Sequence, residues 1–109
     1  MIARGENPEL LAGLQENLTV GTQEFSGVAR ARAMGDTRGP VKFVADAETD
    51  RILGCHIAGP DAGNLIHEVV VAMLTGASYG DIRSAIHVHP TLAEAVNSAA
   101  GGVHRPASA

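Results

Sequence analysis

Aromatic side chains are nearly missing from this sequence: Phe25, Phe43 and Tyr79 are the only three, and there is no tryptophan. A single-stranded nucleic acid binder stacks bases on such rings, so that class is excluded. The core must be assembled instead from Val, Ile, Leu, Ala and Met. Cysteine is equally scarce. Cys55 alone permits no intrachain disulfide, no Cys-x-x-Cys motif and no thiolate-rich zinc site, and a reducing compartment is the simplest expectation. Eight Lys plus Arg face twelve Asp plus Glu, for a formal charge of −4. Those cations are scattered singly apart from Arg30 and Arg32, unlike a surface that tracks phosphates. The longest uninterrupted apolar run, Val69 to Leu74, is six residues, far below the ~20 of a bilayer span. Met1-Ile2-Ala3-Arg4-Gly5-Glu6 lacks the charged-then-apolar pattern of a secretory signal. The expectation is a soluble cytoplasmic protein, with no nucleic acid and no membrane among its partners.

What is present suits one compact domain. The chain has 109 residues, 45% apolar and 18% charged, close to globular averages. Asn7-Pro8-Glu9 ahead of Leu10, Leu11 and Leu14 predicts a short helix over 8–16, with Asn as cap and Pro at the first helical position. Leu18 to Phe25 alternates with strand period. The stretch from Gly27 reads as an irregular arm, closed by the turn formers Gly35-Asp36-Thr37-Arg38-Gly39-Pro40. Two further strands, Val41 to Asp46 and Ile52 to Ala58, flank the short polar Glu48-Thr49-Asp50-Arg51 and predict an antiparallel hairpin.

After Gly59-Pro60 the period changes to 3.6, with Leu65, Ile66, Val69, Val70, Met73 and Leu74 on one stripe of a helix ending at Gly76. Val71 and Ala72 widen that stripe beyond what one small sheet covers, which points to a partner. Ser78 caps a short helix through Ala85, and Thr91 to Ala100 forms a last helix stopped by Gly101-Gly102. The expected fold is α+β, an antiparallel sheet of three to four strands with helices packed against it. A single domain over 1–102 and a flexible tail over 103–109 are expected.

Five histidines raise a metal reading, since His87-x-His89 puts two imidazoles on one side of an extended segment. His56, His67 and His104 show no clustering with that pair, so no metal site is expected. The stretch Ile86-His87-Val88-His89-Pro90-Thr91-Leu92-Ala93-Glu94-Ala95 is more specific. Pro90 disfavours helical backbone at His89 and presents its imidazole just before a helix. If Glu94 returns to His89, its carboxylate fixes the ring tautomer and leaves the other nitrogen for proton transfer. Thr91-Leu92-Ala93-Glu94 equally fits a Ser/Thr-x-x-Glu capping box, in which the glutamate only closes the helix start. From spacing alone both readings stand.

Three stretches together resemble a known family. They are Gly35-Asp36-Thr37-Arg38-Gly39-Pro40-Val41-Lys42-Phe43-Val44, then Arg51-Ile52-Leu53-Gly54-Cys55-His56-Ile57-Ala58-Gly59-Pro60-Asp61-Ala62-Gly63-Asn64-Leu65-Ile66, then His87-Val88-His89-Pro90-Thr91-Leu92-Ala93-Glu94-Ala95. In order and register over about residues 27–100, they are similar to the C-terminal dimerisation domain of the flavin-dependent pyridine nucleotide–disulfide oxidoreductases, most of all the dihydrolipoamide dehydrogenase branch. The resemblance implies an antiparallel sheet with packed helices and a homodimer. It also implies that His89 is the acid–base residue, held by Glu94 and serving the redox disulfide and flavin of the opposite subunit. FAD and NAD(P)H are expected in the full-length enzyme, on domains outside this chain. None is expected to bind here, because the sequence has no Gly-x-Gly-x-x-Gly loop and no Cys-x4-Cys pair. Cys55 stands where the family usually has a small mid-strand residue, and is expected to be buried and inert. The family's opening strand has only the short, polar stretch Met1 to Asn7 to supply it, so the sheet is expected to be at risk of lacking an edge.

Two functions of different class fit these observations. One is a dimerisation domain that lends a His–Glu pair to a reductase and is inactive alone. The other is a stand-alone homodimeric interaction module without catalysis.

Overall fold

In the computed structural model, residues 2–4 and 18–104 are described. The helix expected over 8–16 lies outside them. Four strands form one antiparallel sheet: β1 (Ile2–Arg4), β2 (Leu18–Glu24), β3 (Pro40–Asp46) and β4 (Ile52–Ile57), in the order β1-β4-β3-β2. The helices are α1 (Ala29–Met34), α2 (Ala62–Leu74), α3 (Tyr79–Ser84) and α4 (Glu94–Gly101), and Phe25–Gly27 adds a 3₁₀ turn. The α+β expectation holds.

The hairpin forms as its alternation requires. Val41 pairs with Ile57 and Phe43 with Cys55, and the register shifts at a bulge between Val44 and Ala45. Asp46 closes the turn by accepting from the Glu48 and Thr49 amides through Oδ1, at 2.8 and 3.4 Å. Phe25, Val41, Phe43, Cys55 and Ile57 build a core with Ile66 and Val69 of α2 and Ala95, Val96, Ala99 and Ala100 of α4. With two phenylalanines available, the core depends on close backbone approach rather than large rings. At Gly21 a Cβ would stand 2.2 Å from the Ala99 carbonyl oxygen, so only glycine lets α4 settle on β2.

The structure departs from the sequence reading in five places. Ile2–Arg4 supplies the edge strand thought to be at risk, pairing with His56, Cys55 and Gly54. Three residues suffice to pair because β4 offers an open row of backbone donors and acceptors along Gly54–His56. The stretch expected to be an irregular arm contains α1. Its Ala, Arg and Met residues are good helix formers, and Gly35, at φ 75°, ends it by donating to the Ala31 and Arg32 carbonyls. The last helix starts at Glu94, three residues after Thr91, because residues 91–93 make tighter turns. On α2, Ala72 turns inward, whereas Val70 and Leu74, placed on the buried stripe by the 3.6 period, are 42% and 84% exposed. Finally, the first residues of the expected tail are tied down: Val20 N–H donates to the His104 carbonyl at 2.7 Å and His104 N–H returns to Val20 at 2.9 Å.

Candidate functional site

The residues from Ile86 to Ala93 have no regular helix or strand and join α3 to α4. Asp81 and Ser78 cap α3 reciprocally, the Ser78 amide donating to Asp81 Oδ2 at 2.8 Å and the Asp81 amide to Ser78 Oγ at 3.3 Å. At the far end of α3 the Asn97 side-chain amide donates to the Ile82 and Arg83 carbonyls at 3.1 and 3.0 Å, with a longer contact to Ala85 at 3.4 Å. Carbonyls that a helix terminus leaves unpaired are thereby satisfied by α4.

Within this connection the structure brings His89 and Glu94 together. His89 Nδ1 lies 2.9 Å from Glu94 Oε1 and 3.1 Å from Oε2. A carboxylate only accepts, so the shared proton sits on Nδ1 and the ring presents Nε2 outward. The His89 side chain is 70% exposed. Glu94 makes both of the contacts that its spacing allowed. Its Oε1 also accepts from the Thr91 amide at 3.0 Å, half of a capping box; the other half is missing because Thr91 Oγ1 donates to the Val88 carbonyl at 2.6 Å instead. The Thr91 amide and then the His89 ring hold the Glu94 carboxyl below the usual carboxylate range. A hollow of about 220 Å³ beside the pair is lined by Gly27, Val28, Ala29, His89, Glu94 and Ser98.

His87 does not join His89. Its Nε2 stands 2.6 Å from Glu68 Oε2 on α2, and its Nδ1 is 2.9 Å from the Ala85 carbonyl oxygen. Among the described residues no three His, Cys, Asp or Glu side chains gather as a metal site would require. The Glu68 contact and the Asn97 clamp were invisible in the sequence, since they join residues 12–19 positions apart with no periodic pattern to mark them.

Cys55 is wholly buried in β4, opposite Ala3 and Phe43. Burial pushes its thiol up to about 12, so near neutral pH it is a protonated, poor nucleophile. The groove of about 600 Å³ lined by Arg30, Met34, Asp61, Leu65 and Pro90–Ala93 offers two phosphates one cation beside one carboxylate.

The four-stranded antiparallel sheet with its packed helices thus presents an exposed, carboxylate-held histidine just before α4. Residues 5–100 match the family model "Pyridine nucleotide-disulphide oxidoreductase, dimerisation domain", and the chain belongs to that family. It is 54% identical over 81 residues to a dihydrolipoamide dehydrogenase of Chaetomium thermophilum, covering 74% of this chain and 16% of that protein. It is 45% identical over 96 residues to the mitochondrial dihydrolipoyl dehydrogenase 2 of Arabidopsis thaliana, covering 88% and 19%. Among solved structures, the HOCl-induced flavoprotein disulfide reductase RclA of Escherichia coli matches with a TM-score of 0.79 at 31% identity, over 89% of this chain and 22% of that one. The chain thus spans under a fifth of the length of these two dehydrogenases. No helix among the described residues is long and apolar enough to cross a membrane.

Proposed function

We propose that this chain is the dimerisation domain, over about 1–102, of a dihydrolipoamide dehydrogenase-like reductase. In this reading His89, oriented by Glu94, exchanges protons at the disulfide site of the opposite subunit. The observation that carries it is the geometry of the pair: Nδ1 occupied by Glu94 at 2.9 Å and the ring 70% exposed. Nε2 then takes a proton from an attacking thiol and returns it to a leaving thiolate, while the Glu94 carboxylate stabilises the ring when it carries both protons. Glu94 cannot swing away cheaply, because the Thr91 amide holds the same oxygen. FAD and NAD(P)H belong to domains outside this chain, and no step here runs through them.

A second copy supplies the facing site in this reading. Val71 on α2 and Ile86 and Val88 beside His87 are exposed at 58%, 99% and 74%. The His87–Glu68 contact joins the segment that carries Ile86 and Val88 to α2, and exposed apolar groups on both are what a homodimer surface would bury.

The test places this chain's segment in the 54%-identical dihydrolipoamide dehydrogenase, in exchange for the matching one. The exchanged enzyme should turn over, and His89→Gln in it should lower kcat by about 10²–10⁴-fold, the usual worth of a positioned acid–base group. Turnover unchanged by His89→Gln would leave the interaction-module reading instead.

A further inference from the structure

We infer that Glu68 and His87 are positioning residues: a second histidine–carboxylate pair that fixes the connection between α3 and α4 so that His89 meets Glu94. The inference rests on the reading of His89 given above.

Apolar burial holds only the far end of this connection, through Leu92 in the core, because Ile86 and Val88 point into solvent. Polar contacts hold the rest. The Val88 carbonyl takes the Thr91 hydroxyl, the Ala85 carbonyl takes the Asn97 amide and lies against His87 Nδ1, and His89 takes Glu94. All of those partners lie within residues 85–97, in the connection itself or in the helix it leads into. Glu68 is different: it reaches in from α2, which is anchored in the core by Ile66 and Val69. The His87 side chain that receives it is 8% exposed, against 70% for His89 two residues later. At 2.6 Å the contact has the short length of a charge-assisted bond. A neutral ring donates from one nitrogen, and with Nε2–H given to Glu68 the His87 side chain ties the backbone leading to His89 to α2, with Nδ1 lying against the Ala85 carbonyl.

Release of that anchor has a specific consequence. Glu94 has two donors, the Thr91 amide and the His89 ring. When the backbone ahead of His89 relaxes, the carboxylate keeps the amide of its own helix start and loses the ring. The fold survives and the fixed tautomer of His89 does not. A pair that merely stabilised the fold would leave His89 untouched.

The ring nitrogens of the ¹⁵N-labelled 109-residue chain report this directly, at about pH 8.5, well above the ~6.5 of an ordinary imidazole. In the parent, His89 should show a single Nδ1–H tautomer. Glu68→Ala should shift its two ring signals toward their mean, with the amides of β2, β3 and β4 unchanged. Glu68→Gln, which keeps an acceptor oxygen for His87 Nε2, should restore the parent pattern. His89 signals unmoved in a folded Glu68→Ala protein overturn the inference while leaving the His89–Glu94 reading intact. A parent spectrum in which His89 is already a tautomer mixture overturns both. Should Glu68→Ala not fold, His87→Ala removes the same anchor from the other side, and an unmoved His89 there is equally decisive.

Discussion

Replacing Gly21 with alanine tests how α4, which carries Glu94, is seated. Gly21, midway along the edge strand β2, pairs with Phe43 of β3. A Cβ there would stand 2.2 Å from the Ala99 carbonyl oxygen and 2.7 Å from both the Val103 amide nitrogen and its Cγ2, where ordinary contact begins at 3.4 Å. Either the end of α4 retreats by about 1 Å or β2 shifts against its β3 ladder, and neither obstacle is a flexible side chain. Ala95, Val96, Ala99 and Ala100, all fully buried, lose their close packing. Overpacking of this kind costs about 1–3 kcal/mol. For a domain near 100 residues that lowers Tm by roughly 5–20 °C. Urea unfolding at one fixed protein concentration reads it as a lower midpoint with unchanged slope. Gly63→Ala is the control: nothing lies within 4 Å of its Cβ in α2, and it should leave stability unchanged or raise it by up to about 1 kcal/mol. A Gly21→Ala protein within about 0.5 kcal/mol of the parent would refute this account of the β2–α4 contact.

Glu94→Gln should destabilise only where the carboxylate is ionised. The folded Glu94 titrates below its ordinary value, so its contribution is complete above the unfolded carboxylate range, near ~4.3, and disappears as pH falls through the depressed folded value. The Tm gap between parent and variant should therefore be open at neutral pH and close in acid; a gap that persists at low pH contradicts the ion-pair account. Ser78→Ala removes one half of the α3 capping box and should cost about 0.5–1 kcal/mol in urea unfolding, with His89 ring signals unchanged. Cys55, with its thiol pushed up to about 12, has a thiolate fraction of about 10⁻⁴ at about pH 8. Thiol reagents should label it only in denaturant, and stoichiometric labelling of the native protein within seconds would show that the strand is open.

The elements readable in advance are those whose signals lie within a few residues of one another. The β3–β4 hairpin announces itself by alternation on both sides of a polar turn, α3 by its Ser78 cap, and the His89–Glu94 pair as one of two readings that the spacing after Pro90 allows. Residues 27–34 carried small and charged residues without a wide apolar stripe. Only Ala31 of α1 is buried, so helix propensity and the Gly35 stop decided what periodicity could not.

The rest was settled by tertiary structure. Which of Val69 to Leu74 face the sheet depends on how α2 lies against β4, and the 3.6 period misplaced Val70 and Leu74 for that reason. Ile2–Arg4 becomes a strand because the outer edge of β4, about fifty residues away, needs hydrogen-bond partners. Likewise Glu94 serves the helix start and His89 at once, and Glu68 holds His87 across 19 positions. Sequence fixes local conformation because dihedral preferences, caps and turns act over a single helical turn or hairpin. The company a polar group keeps is chosen only when the core closes and each remaining donor and acceptor must find a partner in place of water.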